Sequence, residues 1–291
     1  MNEVRVQRNY KDTIFRMLFK DKENLLSLYN ALNRTEYTDV DGLEVTTLEN
    51  AVYMNYKNDV SFVFDYELMI YEHQSTMNPN MPLRDLLYVT NILQRRIHTE
   101  KMYGSKPVRI PAPKFVMFYN GTPRQPEKQI IRLSDAYEKK QENPELELAV
   151  TVYNINQGYN EEIMDACRTL KEYAIYVERV RMYAKQMPLT AAVERAVDEC
   201  IEKGILSSFL MKNRAEVISV SIYEYDEELH FQTLREEGHA EGLEQGENRL
   251  AELLQMLIKA GRNEDASRAI FDSKYRKQIM SELLPEVRLN I

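Results

Sequence analysis

The chain has 291 residues, of which 44% are hydrophobic and 29% are charged, and these proportions are ordinary for a globular protein. Its length predicts one large domain or two smaller ones. The formal net charge of −8 excludes a surface that is basic throughout, so contact with nucleic acid would need a local basic patch.

The cysteine content and the hydrophobic pattern indicate a compartment. Only 2 cysteines are present, Cys167 and Cys200, and they form no paired motif. This argues against a disulfide framework or a zinc ribbon and predicts a reducing environment. The segment Met1–Val6 lacks the apolar core of a signal peptide, and no apolar run approaches the roughly 20 residues that span a bilayer. We therefore expect a cytoplasmic protein with no membrane contact.

Up to about residue 160, predicted strands alternate with predicted helices. The elements expected in this part are a short amphipathic helix at 23–32, β-segments at 43–48, 51–56, 60–64 and 68–71, a helix at 84–103, and strands at 114–119 and 146–153. Pro82 precedes the helix at 84–103 and Gly104 follows it as a stop. Spacing places Leu87, Asn91, Leu93 and Ile97 near one face of that helix.

After Asn160 almost every pattern is helical. Helices are expected at 161–187, where Pro188 ends the first, and then at 191–202, 205–225, 250–260 and 265–284. The acidic stretch 226–247 is expected to be a weak helix or a flexible linker. The predicted organisation is an α/β core over 1–160, a helical region packed on it over 161–225, and an acidic Glu/Gly-rich linker with terminal helices over 226–291.

The most informative segment is the predicted β-hairpin formed by the runs 60–64 and 68–71. If Asp65 and Tyr66 form the turn, the numbers of paired residues sum to 131, and Asp59 then lies directly opposite Glu72. Gln74 is two residues further along the same strand, so its side chain shares a face with that of Glu72. The side chain of His73, between them, points to the opposite face.

Two carboxylates placed opposite each other on a sheet repel one another. Their juxtaposition is explained if a cation lies between them, and a hard divalent ion such as Mg²⁺ or Mn²⁺ prefers carboxylate oxygens. The alternative is that both are solvated side chains at the ends of strands, which is the commoner situation for Asp and Glu.

Several motifs along the chain carry a resemblance to a known family. They are Lys11–Phe19, Asp59, Glu72-His73-Gln74, Arg84–Tyr88, Phe118–Gly121 and Glu236–Gly238. Asp followed by Glu-x-Gln resembles the D…(D/E)-x-K site of PD-(D/E)XK nucleases. The order of the motifs resembles, more specifically, the Rpn family of recombination-promoting nucleases, whose members are also described as transposases.

This resemblance implies a restriction-endonuclease-like fold, a mixed central sheet with an αβββαβ core that is flanked by helices. It implies a Mg²⁺- or Mn²⁺-dependent DNA endonuclease associated with recombination or transposition. Asp59 and Glu72 would hold the metal together with the backbone carbonyl of His73, and Gln74 would orient the attacking water. Gln74 stands where the wider superfamily has lysine; glutamine carries no charge, although it can orient water by hydrogen bonding. Asp12 is a candidate for a further carboxylate.

The segment 84–114 is locally basic in an acidic protein. Its cations are Arg84, Arg95, Arg96, Lys101, Lys106, Arg109 and Lys114. Such clusters bind the phosphate backbone without reading sequence. We expect Arg84, Tyr88, Arg95 and Arg96 to contact DNA, and Tyr88, one helical turn after Arg84, could also support that arginine. The alternative is a solvated helix face.

Two functions of other classes stay open at this point. One is a fold that serves a mobile element by binding DNA without cutting it. The other is a helical half that acts as an interaction platform on a nuclease core that has lost its activity. No Gly-rich phosphate loop or dinucleotide fingerprint is present in the sequence, so no small-molecule cofactor is expected. A homo-oligomer is left open.

Overall fold

The computed structural model describes residues 13–47 and 59–284. Backbone contacts divide the chain into two units, one up to Glu228 and the other from Leu229. The first unit contains a six-stranded sheet. Its strands are β1 (Glu44–Val45), β2 (Val60–Phe64), β3 (Glu67–Gln74), β4 (Ala112–Tyr119), β5 (Lys128–Arg132) and β6 (Ala149–Asn154).

The sheet is mixed, as predicted, with the strand order β1-β2-β3-β4-β6-β5. The first three strands form an antiparallel meander, β4 lies parallel to both β3 and β6, and β5 is an antiparallel edge strand. A parallel connection needs a crossover, which the helix between β3 and β4 supplies. The molecule is therefore an α/β protein. The carboxyl-terminal ends of the parallel strands β3, β4 and β6 lie at the same edge of the sheet.

Most of the other described residues lie in α-helices, and those of the first unit flank the sheet. The helices are α1 (Ile14–Phe19), α2 (Lys22–Asn33), α3 (Met81–Arg96), α4 (Glu161–Ala166), α5 (Arg168–Ala184), α6 (Leu189–Glu202), α7 (Ser207–Lys259), α8 (Asn263–Phe271) and α9 (Ser273–Leu283). Short polar side chains begin several of them: Asp21 caps α2 by accepting hydrogen bonds from the backbone N–H groups of Glu23 and Asn24. Between residues 160 and 284 every described helix or strand is a helix, as the sequence predicted.

The predicted hairpin is confirmed with its register. Val60 pairs with Tyr71 and Phe64 pairs with Glu67, so the partner numbers sum to 131. Asp65 and Tyr66 form the two-residue turn, with φ of 46° and 62°. Positive φ at both central residues is the type I′ pattern, which matches the twist of the two strands it joins.

Alternation along β3 sends its side chains into two different cores. Met69 and Tyr71 belong to the large core, which contains residues of α1, α2 and α5. Leu68 and Ile70 lie on the opposite face and pack against α3. Since Glu72 and Gln74 continue the second set, they lie on the face that α3 covers.

The face of α3 that meets the sheet differs from the prediction. Its buried residues are Met81, Pro82, Asp85, Tyr88, Val89 and Ile92, and the predicted stripe of Leu87, Asn91, Leu93 and Ile97 is not the buried one. The helix also ends earlier than expected, at Arg96, because Ile97 is extended with φ −94° and ψ 123°. A separate 3-10 helix, Thr99–Tyr103, follows and ends at Gly104.

Other predicted boundaries also change. The helix predicted at 161–187 is two helices, α4 and α5, separated by the extended backbone of Cys167. The helix α1 and the edge strand β5 were not predicted. In the described part of the predicted segment 43–48, residues 43–47, only Glu44–Val45 pairs as a strand. The stretch 226–247 has helical backbone within α7. The segment 51–56, Asp12 and the first residues of the motif at 11–19 lie outside the described residues.

The second unit has a small core of its own. It joins the end of α7 to α8 and α9 through Leu253, Leu257, Ala266, Ala269 and Ile279. Asp272 caps α9 by accepting hydrogen bonds from the N–H groups of Lys274 and Tyr275. In neither unit does a described helix combine the length and the apolar character that crossing a membrane requires.

Candidate functional site

The structure brings Asp59 and Glu72 together where the hairpin strands end. The backbone N–H of Asp59 donates a hydrogen bond to Glu72 Oε1 at 3.2 Å. The Asp59 carboxylate oxygen Oδ2 in turn accepts one from the backbone N–H of His73 at 2.7 Å. The pairing that the turn predicts therefore places both acidic residues side by side, with Glu72 only 2% exposed.

The environment of Glu72 opposes its ionisation. Burial raises the pKa of this carboxyl well above its usual range, and the neighbouring carboxylates of Asp59 and Asp85 raise it further. The guanidinium of Arg84 acts in the opposite direction, with its Nη2 atom 3.7 Å from Glu72 Oε2. A single nearby cation thus faces three acidic side chains, and a second positive charge would favour the ionised form of Glu72.

Arg84 is held in place by Tyr88, one helical turn further along α3. The hydroxyl of Tyr88 accepts hydrogen bonds from Nη2 at 2.9 Å and from Nε at 3.3 Å. Tyr88 is 1% exposed and packs on Leu68 and Ile70 of β3. The sequence had predicted that Tyr88 contacts DNA, but in this position its side chain orients Arg84 and has almost no exposed surface.

Asp85 is the residue of this site that sequence reasoning missed. It is 1% exposed, and neither of its carboxylate oxygens has a hydrogen-bond partner. Burial raises its pKa to about 8, against the opposing effect of Arg84. The signal was in the sequence, because Asp85, Tyr88, Val89 and Ile92 follow the helical spacing of one buried face.

The side chain of His73 lies on the opposite face of β3, as alternation predicted. Its Nε2 atom is within hydrogen-bonding distance of the Tyr173 hydroxyl, at 3.1 Å, and its ring stacks on Phe15 with centroids 5.3 Å apart. Burial, and the charge of Arg181 to a smaller extent, lower the pKa of this imidazole to about 3. The ring is therefore neutral near pH 7, and only the backbone of His73 belongs to the Asp59 side of the site.

Gln74 ends β3 at a tightly packed point of the sheet. Its backbone carbonyl accepts a hydrogen bond from Asn120 N at 3.0 Å. Just beyond, a Cβ atom added to Gly121 would lie 1.9 Å from the carbonyl oxygen of Ser75, so only glycine fits there. On the same edge Arg181 donates to Asn120 Oδ1 at 3.0 Å. The position of Gln74 is thus fixed by the backbone of two adjacent strand ends.

The four residues predicted to contact DNA do not form one patch. Arg95 and Arg96 occupy the last turn of α3, and 11 residues of helix separate Arg84 from Arg95, a distance of about 17 Å. Arg96 forms an ion pair with Glu44 of β1. Only Arg84 stands beside the acidic residues, while the other two arginines lie towards the hairpin-turn end of the sheet.

Within residues 13–47 and 59–284, no group of three or more His, Cys, Asp or Glu side chains has the arrangement of a metal site. Two carboxylates, Asp59 and Glu72, are brought together, and the candidate third carboxylate, Asp12, lies outside those ranges. No family model, curated protein or solved structure matches the chain. The arguments for function therefore rest on these side chains and on the resemblance carried by the motifs.

Proposed function

We propose that the protein is a metal-dependent phosphodiester hydrolase, a DNA endonuclease of the PD-(D/E)XK type. The observation that carries the proposal is the contact between Asp59 and Glu72 across the hairpin, with Arg84 beside them. Glu72 is buried and Asp59 is partly buried, so the two side chains repel each other when both are ionised, and a bound cation would remove that repulsion.

The donors present fit a hard divalent ion in kind and in number. Mg²⁺ commonly binds proteins through one or two carboxylates and takes its other ligands from water and substrate phosphates. Asp59 and Glu72 would hold such an ion, with the backbone carbonyl of His73 as a further oxygen donor. When bound, the ion would lower the pKa of a water and stabilise negative charge on the phosphate.

The remaining side chains have roles that follow from their chemistry. Gln74, on the same face of β3 as Glu72, would orient the attacking water, since its amide both donates and accepts hydrogen bonds. Arg84 would bind a phosphate oxygen while Tyr88 holds its guanidinium in position. Asp85 is buried beside them, and because burial raises its pKa to about 8 it is mostly neutral near pH 7. Only its ionised form would add negative charge near Glu72.

The finer parts of the proposal come from the resemblance to the Rpn family. They are a restriction-endonuclease-like arrangement of the sheet, an association with recombination or transposition, and DNA as the substrate. The observed order of α2, three strands, α3 and β4 is compatible with the αβββαβ core. The strand order β1-β2-β3-β4, antiparallel at first and then parallel, is compatible with it as well.

Cleavage of supercoiled plasmid tests this proposal. The wild-type protein should nick or linearise the plasmid with Mg²⁺ or Mn²⁺ and lose this activity in a chelator. Asp59→Ala should be inactive, while Glu138→Gln, an exposed carboxylate on the loop after β5, should behave as wild type. Cleavage that survives in Asp59→Ala would refute the assignment of the site.

A second function is favoured by the composition of the site. Within the described residues, only two carboxylates are brought together as possible metal ligands, and Gln74 stands where the wider superfamily has lysine. A site of this composition suits a protein that binds DNA without hydrolysing it, in the service of a mobile element. Gln74→Lys separates the two functions, because it restores the side chain that the wider superfamily carries. Cleavage gained only in this variant would favour the non-cutting function, whereas cleavage by the wild type favours the nuclease.

A further inference from the structure

A second surface, on the hairpin-turn edge of the sheet, has no role in the proposed chemistry. The Asp65-Tyr66 turn joins β2 to β3 there, and the carbonyl of Tyr66 accepts a hydrogen bond from Ala112 N at 2.9 Å. The 3-10 helix Thr99–Tyr103 and the loop after it lead directly into Ala112. Five exposed side chains at this edge form what we call the turn-edge platform: Tyr66, Lys101, Tyr103, Lys106 and Arg109.

The two tyrosines of the turn-edge platform contribute little to the stability of the fold. Tyr66 is 88% exposed and Tyr103 is 85% exposed, so neither ring gains much from burial. Tyr66 also adopts φ of 62°, a backbone conformation that glycine or asparagine tolerates far better than a bulky aromatic residue. A strained residue with an exposed ring points to a binding role for that ring.

The three cations of the turn-edge platform are available for a ligand. Lys101, Lys106 and Arg109 line an open cavity of about 540 Å³ together with Gly104, Ser105, Pro107 and Val108, and no carboxylate contributes to its wall. In the part of the chain that the structure describes, no carboxylate forms an ion pair with them.

Three of the acidic residues at the same edge are already engaged, whereas Glu100 of the 3-10 helix and Asp39 and Asp41 before β1 are exposed. Glu67 forms an ion pair with Lys114 and accepts a hydrogen bond from the Tyr29 hydroxyl at 3.1 Å. Glu44 pairs with Arg96, and Asp65 accepts a hydrogen bond from the Tyr37 hydroxyl at 2.8 Å. The cations of the turn-edge platform are thus the basic part of this edge, in a protein whose formal net charge is −8.

We propose that the turn-edge platform binds single-stranded nucleic acid, with Lys101, Lys106 and Arg109 contacting phosphates and the rings of Tyr66 and Tyr103 stacking on bases. Interleaved cations and exposed aromatic rings are the combination that binds single strands, because bases in a duplex are already stacked on one another. The inference rests on the proposed function in one respect, that the nucleic acid is also the substrate of the Asp59–Glu72 site.

The separation of the two sites sets what the substrate must span. Ala112 pairs with Glu67 at the start of β3, and Glu72 lies five residues further along this strand, about 17 Å away. That length corresponds to about five base-pair steps of a duplex. A DNA with a single-stranded segment beside a duplex would place the unpaired bases on the turn-edge platform and the phosphodiester bonds at the acidic site.

Fluorescence anisotropy in a chelator tests binding separately from hydrolysis. The probes are a labelled single-stranded 20-mer and the matching duplex. The variants are the triple substitution Lys101→Gln, Lys106→Gln, Arg109→Gln and the single substitutions Tyr66→Ala and Tyr103→Ala. The matched control removes three exposed cations elsewhere on the first unit, by Lys139→Gln, Lys140→Gln and Lys212→Gln.

The wild type should bind the single strand more tightly than the duplex. For the single strand, the logarithm of the binding constant falls as the logarithm of the salt concentration rises. The triple variant should make this slope less steep by about 2, at roughly 0.7 per lost phosphate contact. Each tyrosine variant should weaken single-strand binding by about fivefold or more and leave duplex binding nearly unchanged. The control triple should bind as wild type.

Binding by the triple variant that equals that of the control triple would overturn the inference. So would a loss of binding to vesicles containing an anionic lipid without a loss of DNA binding, which would assign the platform to a membrane surface. Platform-dependent binding by a wild-type protein that cuts no DNA would support the inference and refute the nuclease. Cleavage that is unaffected in the platform variants, with unchanged binding, would support the nuclease and refute the inference.

Discussion

The buried carboxyl of Asp85 makes the stability of the protein depend on pH in a defined direction. Its pKa is raised from 3.8 to about 8 because the side chain is 1% exposed and its oxygens have no hydrogen-bond partner. The folded state therefore prefers the protonated form, while the unfolded chain ionises near pH 4. Burial of Asp85 does not lower the free energy of unfolding below pH 3.8, where the carboxyl is protonated in both states. It lowers this free energy progressively as the pH rises from 3.8 towards 8.

The variant Asp85→Asn removes this ionisation and leaves a neutral group of similar shape. Each pH unit between the two pKa values is worth about 1.4 kcal/mol, so the stability advantage of the variant should grow by roughly 1 to 3 kcal/mol between pH 5 and pH 7. The lower end applies if water reaches the ionised carboxylate. Titrations of groups distant from Asp85 are common to both chains and cancel in the difference. The pKa of Glu72, which the Asp85 carboxylate raises, falls in the variant and adds to the effect in the same direction.

The assay is urea unfolding of the metal-free protein at pH 5, 6 and 7, with the free energy of unfolding compared between wild type and Asp85→Asn. Glu138→Gln serves as the control, because it removes an exposed carboxylate and should leave the pH dependence unchanged. A difference between wild type and Asp85→Asn that is the same at all three pH values would refute the argument from burial. So would a variant that loses stability relative to wild type as the pH rises.

Three further predictions concern the metal, the strand ends and the turn. In differential scanning fluorimetry, Mg²⁺ or Mn²⁺ should raise the Tm of the wild type. Without metal, Asp59→Asn should be more stable than wild type by about 1 kcal/mol in the free energy of unfolding, and it should lose most of the metal-induced rise in Tm. A full metal-induced rise in the variant would place the metal elsewhere. Gly121→Ala should destabilise by about 3 kcal/mol or more, because the new Cβ would lie 1.9 Å from the Ser75 carbonyl oxygen, whereas Gly238→Ala meets nothing within 4 Å and should not destabilise in the same thermal melt. Tyr66→Gly should raise the free energy of unfolding by about 1 kcal/mol through relief of its positive φ, measured by urea unfolding, and an unchanged or lower value would show that the turn is not strained.

The hairpin and its acidic residues were predictable because a two-residue turn fixes the register of every pair that follows it. Once Asp65 and Tyr66 are the turn, the numbers of paired residues must sum to 131, and Asp59 is therefore placed opposite Glu72. The central strand β4 was predictable for a related reason, since a nearly continuous apolar run is typical of a strand that is covered on both faces.

The elements that were not predicted carry weak local signals. The strand β5 lies at the sheet edge and alternates between exposed and half-buried residues, so its sequence Lys-Gln-Ile-Ile-Arg resembles a loop. The break between α4 and α5 at Cys167 contains neither Pro nor Gly and is imposed by tertiary packing. The role of Asp85 was hidden because a charged residue was not expected on the buried stripe of α3, although its spacing with Tyr88, Val89 and Ile92 placed it there.

The distribution of basic residues could not be predicted from their closeness in sequence. Arg84 and Arg109 belong to one basic segment, but α3 runs from the acidic site to the hairpin-turn edge and carries the later cations away from Glu72. Charge counted along a chain locates a patch only when the topology is known. In this fold the crossover from β3 to β4 divides the segment between two opposite edges of the sheet.

The most direct test of the central claim is the rate at which a labelled DNA is cut under single-turnover conditions with Mg²⁺ or Mn²⁺, compared between wild type and Glu72→Gln. The substitution keeps the shape of the side chain and its acceptor for the Asp59 N–H, and it removes the charge that would hold the ion. We predict cleavage by the wild type and a loss of about 100-fold or more in the variant. Equal rates in the two proteins, or a wild type that cuts with neither ion, would contradict the assignment of a metal-dependent nuclease site to Asp59 and Glu72.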